Sequence, residues 1–375
     1  MKKLDWSELL QHLGGFLHLS LGNVVMMIAG GTLIYLAIAK KCEPALLLPI
    51  GMGAILVNIP STGMTEEGAF FAVLYELGIG NGLFPLLIFI GIGAMTDFGP
   101  LLENPIIILL GVATPFGIFG TLLAATLMGF DIKEAASIGI IGSADGLTSI
   151  YVSSKLAPPL IGPITVAAYS WMWLVPIIQP PIMKLLTTRE ERLIKMPYST
   201  RPVPKPTRIL FPIVTTLLCG LLVPMSIPLI GMLMLGNLMR ECGGVGKLAK
   251  GAQNELLNIV TILLGITIGS TMTAESFLNT RTITIMTIGL LAFSLSIAAG
   301  LLLGKITCVL SGRRINPLIG ACGISAFPIS ARVVQRVANE EDFSNYLLMH
   351  AVGSNTAGQI ASVMAGGLLL ALLGG

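Results

Sequence analysis

The chain has 375 residues, of which 54% are hydrophobic and only 11% charged, with a mean hydropathy of +0.87. Soluble domains carry about 25% charge, so this composition excludes a soluble enzyme, a secreted domain and a nucleic-acid binder, and puts the chain in lipid. The 22 basic and 19 acidic residues, net +3, are too evenly balanced to imply a polyanionic partner.

Aromatic residues make up 6% of the chain and do not alternate regularly, which argues against an outer-membrane barrel. What remains is an all-α, polytopic integral membrane protein. In chain order, the N-terminal unit 1–15 reads as an interfacial amphipathic helix with Trp6, Leu9, Leu10 and Leu13 on its apolar side. Asp5 and Glu8 follow Lys2 and Lys3 and no small-residue cleavage site is evident, so it does not read as a signal peptide. A membrane span needs ~20 apolar residues. Segments 16–39, 84–97, 104–129, 134–154 and 158–186 qualify in the first half, with a short, Pro- and Gly-broken segment at 44–59. The second half offers 208–226, a short 227–240, 254–272, 281–309, 314–336 and 344–373. The expectation is about 10–11 transmembrane helices.

One long polar stretch separates the halves. Residues 187–208 hold Arg189, Arg192, Lys195, Arg201, Lys205 and Arg208 together with four prolines. This is a basic, Pro-rich linker, and its Lys/Arg excess predicts the cytoplasmic side. It divides the chain into a first transmembrane repeat, 16–186, and a second, 209–375. The repeat is visible in three ordered matches with offsets of 176 to 181. GIIGSADGLTSI (139–150) lies over GACGISAFPISA (320–331), IGAMTDFGPLL (92–102) over IGSTMTAESFL (268–278), and LLPIGMGAILVNI (47–59) over SIPLIGMLMLGNLM (226–239). Two inverted repeats, each with a helix broken at mid-membrane, are the expected architecture.

The matched breaks are the candidate site. Free backbone carbonyls and amides at membrane depth are tolerable only where they line a cavity, and carbonyls with hydroxyls suit a small hard cation such as Na⁺. The first break carries Asp145, with Ser143, Thr148 and Ser149 around it. Burying an unpaired carboxylate costs at least ~2.5–3.5 kcal/mol, which points to a cation or a proton; the competing reading is a helix cap at the interface. The second break has Ala326 at the equivalent of the acid, and offers Ser325, Pro328 and Ser330. The last span carries Ser354, Asn355, Thr356, Gln359 and Ser362, either as cavity lining or as glue between helices. It overlies the segment holding Tyr169 and Ser170. Asp97 sits where a span ends and reads equally as a helix-end group or a ligand. Glu43, Glu255 and Glu275 read as boundary residues, and Arg332 and Arg336 as a snorkelling helix end. Five scattered cysteines and three scattered histidines form neither a disulfide framework nor a metal site. No nucleotide or dinucleotide fingerprint is present.

These segments also resemble a known family. GSADGLTSIYVSSKLAP, GAMTDFGPLL, GISAFPISARVVQ and GSNTAGQIASVMAGG are similar to the β subunits of sodium-pumping biotin-dependent decarboxylases acting on oxaloacetate, glutaconyl-CoA, methylmalonyl-CoA or malonate. The resemblance implies a multi-pass subunit of the bacterial cytoplasmic (inner) membrane that decarboxylates carboxybiotin and exports Na⁺. Its implied partners are a carboxyltransferase α subunit, a biotin carrier subunit, a small membrane-anchoring subunit and lipid, with homo-oligomers within the complex. It assigns the essential ion-binding carboxylate to Asp145, functional polar roles to Asn355 and Ser362, and a catalytic tyrosine to Tyr169. Ser143, Thr148, Ser149, Ser325 and Ser330 join them as expected Na⁺ ligands. Within this resemblance the short β subunits accompany CoA-ester decarboxylases, so it implies glutaconyl-CoA as the parent substrate, with methylmalonyl-CoA or oxaloacetate as alternatives. A stand-alone secondary Na⁺ transporter or Na⁺/H⁺ antiporter would use the same repeats and the same Asp145.

Overall fold

A computed structural model describes residues 15, 18–197, 203–326 and 328–374, and among these there are helices and turns but no strand. The expected N-terminal interfacial helix lies outside the described residues except for Gly15. The helices used below are α1 (Leu21–Ala39), α2 (Pro44–Val57), α3 (Phe70–Gly80), α4 (Leu83–Met95), α5 (Pro105–Leu127), α6 (Ile132–Gly139) and α7 (Gly146–Leu156). They continue with α8 (Pro158–Leu186), α9 (Lys205–Leu222), α10 (Ile227–Cys242), α11 (Gly246–Ser270), α12 (Thr280–Leu310), α13 (Ile329–Glu341) and α14 (Leu348–Leu373).

Seven of the described helices are long and apolar enough to cross a membrane, or eight when the bent pair α3–α4 is taken as one span. That is fewer than the ten or eleven expected. Helices α2 and α10 are 14 and 16 residues long, below the usual span length. Segments 134–154 and 314–336 do not run straight through at all.

Both of these segments are hairpins. The first rises as α6, tightens into a 3₁₀ turn at Ile140–Ser143, reverses at Ala144 in a left-handed conformation (φ 57°) and returns as α7. Its two feet stand at one end of the bundle. Glu134 in the first turn of α6 pairs at 2.7 Å with Arg281 in the first turn of α12, and Lys155 near the end of α7 donates to the Gly80 carbonyl at 2.9 Å. The second hairpin comprises the 3₁₀ turn Pro317–Cys322 and α13, and its feet stand at the opposite end, beside the linker. Asn316 donates to the Arg192 and Ile194 carbonyls at 2.9 and 2.8 Å, and Arg192 pairs with Glu341 at 2.7 Å. Lys305, near the far terminus of the 31-residue α12, reaches Glu191 of the same linker at 3.3 Å. The hairpins therefore enter from opposite ends, and their tips meet where the Ser325 N–H donates to the Ser143 carbonyl at 2.9 Å.

The halves exchange contacts at sequence-matched positions. The Asn58 amide donates to the Met272 carbonyl at 2.8 Å and the Asn237 amide to the Thr96 carbonyl at 3.0 Å. At the tips, Thr114 of α5 donates to the Gly323 carbonyl at 2.6 Å, and Ser296 of α12 to the Gly142 carbonyl at 2.5 Å. In lipid every buried carbonyl needs a donor within the protein, and a tip that leaves the helical ladder frees several. These hydroxyls supply the missing donors. Glycines let the backbones come this close: Gly53 and Gly269 seat α2 against α11, and Gly93 and Gly236 seat α4 against α10.

Candidate functional site

Asp145 occupies the N-cap position of α7, directly after the reversal. Its carboxyl accepts from the Thr148 N–H at 3.1 Å and from the Thr148 hydroxyl at 2.6 Å. Its own N–H donates to the Ser143 hydroxyl at 3.2 Å, which in turn donates to the Ile140 carbonyl at 2.7 Å. Ser149 donates to the Asp145 carbonyl at 2.7 Å. Asp145 is thus a helix cap, as one reading of the sequence held, but a buried one: it is 7% exposed and stands where the two hairpins meet. A cap of this kind places a carboxylate against the positive end of a helix and leaves the rest of its acceptor capacity for a ligand.

Two further elements converge on this point. On the second tip, Ser325 is 8% exposed, and the Ile324 carbonyl accepts from the Asn355 amide of α14 at 2.7 Å. Along α14, Ser354 Oγ, Asn355 Oδ1, Gln359 Oε1 and Ser362 Oγ are buried without a hydrogen-bond partner among the described residues. Ser362 is a close neighbour of the Asp145 carboxyl, although their contact falls short of hydrogen-bond geometry. Buried polar atoms in native proteins are nearly always satisfied, so the unsatisfied oxygens of Gln359 and Ser362 near this carboxyl ask for a ligand. Tyr169 of α8 packs its ring on Gly146, where any Cβ would collide with it; this brings the phenol beside Asp145.

Asp145, Tyr169, Ser325 and Gln359 share one cavity of about 340 Å³, lined also by Glu43, Thr96, Asn258 and Thr261, whereas Ser354, Asn355 and Ser362 stand behind its wall. A larger groove of about 700 Å³ beside Trp171 and the start of α12 has no acid or base in its wall, so it offers no comparable chemistry. Among the described residues no group of three or more His, Cys, Asp or Glu is placed to hold a metal ion. The donors at the cavity are carboxyl, hydroxyl, amide and carbonyl oxygens, a set suited to a hard cation.

Not every residue singled out in the sequence reaches this cavity. Ser330 is buried against Gln179, whose amide donates to its hydroxyl at 2.9 Å, and lies 3.2 Å from Cys322 Sγ. The Thr148 hydroxyl is held by Asp145, and that of Ser149 by the helix backbone. Asp97 stands at the linker end, accepting from the Gly99 N–H at 2.8 Å and pairing with Arg240 at 3.3 Å and Arg208 at 3.6 Å. Of its two readings the helix-end one describes its contacts. Arg332 and Arg336 are exposed, and Arg336 donates to the Pro176 carbonyl at 2.9 Å. Glu43, read in the sequence as a boundary residue, does stand in the turn between α1 and α2, but there it is half-buried and lines the cavity. Only its position two residues after Lys41 could have hinted at this, and that position suggested a loop.

Outside the membrane region, ion pairs fasten the linker. A hydrogen bond from Arg192 holds the Glu341 carboxyl below its usual range, and Lys195 with Ser344 pulls Asp342 down to about 2.

A family model described as the Na⁺-transporting oxaloacetate decarboxylase beta subunit matches residues 22–373. The glutaconyl-CoA decarboxylase subunit beta of Acidaminococcus fermentans is 53% identical over 362 residues, covering 96% of each chain. The methylmalonyl-CoA decarboxylase subunit beta of Propionigenium modestum is 51% identical over 387 residues, covering 97% of this chain and 98% of the relative. The oxaloacetate decarboxylase beta chain of Klebsiella pneumoniae is 45% identical over 417 residues, with 95% and 96% covered.

Proposed function

We propose a function that proceeds from one premise: the chain belongs to the family of Na⁺-transporting oxaloacetate decarboxylase beta subunits. It is the membrane subunit of a sodium-translocating, biotin-dependent decarboxylase, and it couples loss of CO₂ from carboxybiotin on a partner to Na⁺ export across the bacterial cytoplasmic membrane. One observation carries this reading. Asp145, the only acid among the described residues at the meeting hairpin tips, lies near buried oxygens on α14 that have no partner among the described residues.

Asp145 supplies the charge that holds Na⁺ at the tips. Ser325, Asn355, Gln359 and Ser362 supply neutral oxygens, and the Ser143 carbonyl, already bonded across to Ser325, fixes the two tips relative to each other. Release of CO₂ breaks a nitrogen–carbon bond and leaves an electron pair on the biotin ring nitrogen, which takes up one proton. The Tyr169 phenol, placed over Gly146 in the cavity wall, is the group positioned to donate it. Moving one charge against 100 mV requires ~2.3 kcal/mol. Coupling follows if ion occupancy and departure of the biotin ring bias one conformational equilibrium. Hairpins entering from opposite ends support a reading of the halves as inverted repeats, and hence alternating access.

The partners are the carboxyltransferase α subunit, the biotin carrier and a small membrane anchor. Identities of 51–53% to the beta subunits of acyl-CoA decarboxylases, against 45% to that of oxaloacetate decarboxylase, favour an acyl-CoA complex, with glutaconyl-CoA ahead of methylmalonyl-CoA. The test is co-purification followed by reconstitution. Avidin should retain this chain through a biotinylated partner, and liposomes containing the complex should accumulate Na⁺ only while the acyl-CoA is being decarboxylated. Na⁺ transport by the lone chain, with no biotin protein present, would replace this reading with that of a secondary transporter.

A further inference from the structure

The cavity holds a second carboxyl for which the function above has no use. Glu43 sits in the turn between α1 and α2 and lines the same cavity of about 340 Å³ as Asp145. The Tyr169 side chain lines this cavity together with both acids. Glu43 belongs to the linker end of the bundle. The other terminus of α2 is tied at the far end, where Asn58 donates to the Met272 carbonyl. Thr96, which shares the cavity wall with Glu43, adjoins Asp97 and its linker-end partner Arg208.

A structural role does not account for this side chain. The backbone is left-handed (φ 37°, ψ 57°), a region that Gly and Asn enter cheaply and that other residues occupy under constraint. Glu43 stands at the N-cap position of α2 but makes no capping hydrogen bond. Among the described residues no Lys, Arg or His pairs with its carboxyl. Glu43 is half-buried, and a carboxylate partly withdrawn from water without a partner is unfavourable. Gln359, in the same cavity wall, independently indicates what is missing: it is 5% exposed and its Oε1 has no partner among the described residues. Unpaired oxygens in one cavity wall are satisfied by a hydrogen-bond donor or a cation, and of the two a hard cation also neutralises the carboxylate.

We infer that Glu43 is a second Na⁺ ligand, at the linker-end mouth of the cavity, where it captures the ion before Asp145 receives it. A fixed charge at the mouth raises the local cation concentration and replaces part of the hydration shell before the ion reaches the buried tips. The inference rests on the Na⁺-pump reading of the same site.

The experiment measures decarboxylation by the purified complex against Na⁺ concentration, with choline chloride holding ionic strength constant. Glu43→Gln should raise the half-saturating Na⁺ concentration roughly tenfold, the scale of losing one charge-assisted contact, and the loss should appear there more than in turnover at saturating Na⁺. Glu43→Asp, which keeps the charge, should lie closer to wild type. Glu43→Asn suits the left-handed backbone and repeats the neutral test in a variant that folds. An unchanged half-saturating Na⁺ in both neutral variants overturns the inference, as does a loss confined to saturated turnover. Turnover of the wild-type complex that is indifferent to Na⁺ would overturn the pump reading itself, and this inference with it.

Discussion

The two hairpin tips are built alike and charged differently. Each has its freed carbonyl capped by a hydroxyl from the opposite half, Thr114 on Gly323 and Ser296 on Gly142, and each has a buried serine at the crossing. Yet the first tip carries Asp145 while the second has Ala326 at the matching position. The frame is duplicated and the charge is not. A single buried carboxylate at the crossing can be neutralised by one monovalent cation. Two would need a second cation or a proton, because like charges at close range do not both ionise.

The largest expected effect comes from removing that asymmetry. Asp145→Asn keeps the shape and deletes the charge, and should abolish Na⁺-dependent decarboxylation while carboxyl transfer to biotin by the soluble partner continues. Full Na⁺ pumping by this variant would take Asp145 out of the mechanism and leave the difference between the tips without a function.

The shared frame makes a prediction of its own. Thr114→Val and Ser296→Ala each orphan one tip carbonyl, at a cost of about 1–2 kcal/mol. Thermal melting in detergent should place the two variants close together, because the bonds occupy matched positions. A gap of more than about 2 kcal/mol, outside the spread for single buried hydrogen bonds, would show that the tips are not mechanically equivalent.

The neutral ligands come next. Asn355→Ala and Ser362→Ala remove oxygens that lack partners among the described residues. Each should raise the half-saturating Na⁺ concentration roughly three- to tenfold, since a neutral contact contributes about 1 kcal/mol. Unchanged Na⁺ dependence in both would return this face of α14 to helix packing.

Much of this arrangement is legible in the sequence, for a physical reason. Glycines and hydroxyls inside apolar runs are wasteful in a straight lipid-exposed helix, so segments 139–150 and 320–331 announce the breaks, and Asp145 stands out because a carboxylate in lipid is expensive. The reversal of the chain at each break is not legible. A broken helix that crosses and a hairpin that returns share the same composition, and the difference lies in contacts such as Glu134–Arg281 and Asn316–Arg192, between residues more than a hundred positions apart. Ser330 and Glu43 fail in opposite directions for a related reason. Ser330 lies in the right motif, but its hydroxyl is taken by Gln179 from α8. Glu43 lies in an ordinary-looking turn and lines the cavity at the start of α2, the helix that packs on α11 from the other half.

Asp97 sharpens the comparison at its smallest scale. It is the other acid in a matched segment, and its counterpart Thr273 is neutral, so by sequence alone it mirrors the inequality of the tips. Its surroundings differ. Asp97 faces Arg208 and Arg240, which also hold Glu241, at a partly exposed linker-end cluster, whereas Asp145 has no cation among the described residues. Exposed pairs of this kind contribute about 0–1 kcal/mol and are screened by salt. Asp97→Asn should therefore lower the melting temperature slightly at low ionic strength and hardly at all at high salt, and leave the half-saturating Na⁺ concentration where it was. A rise in that concentration would put Asp97 on the ion path, and the functional inequality between the halves would then extend beyond the tips into the rest of the first half.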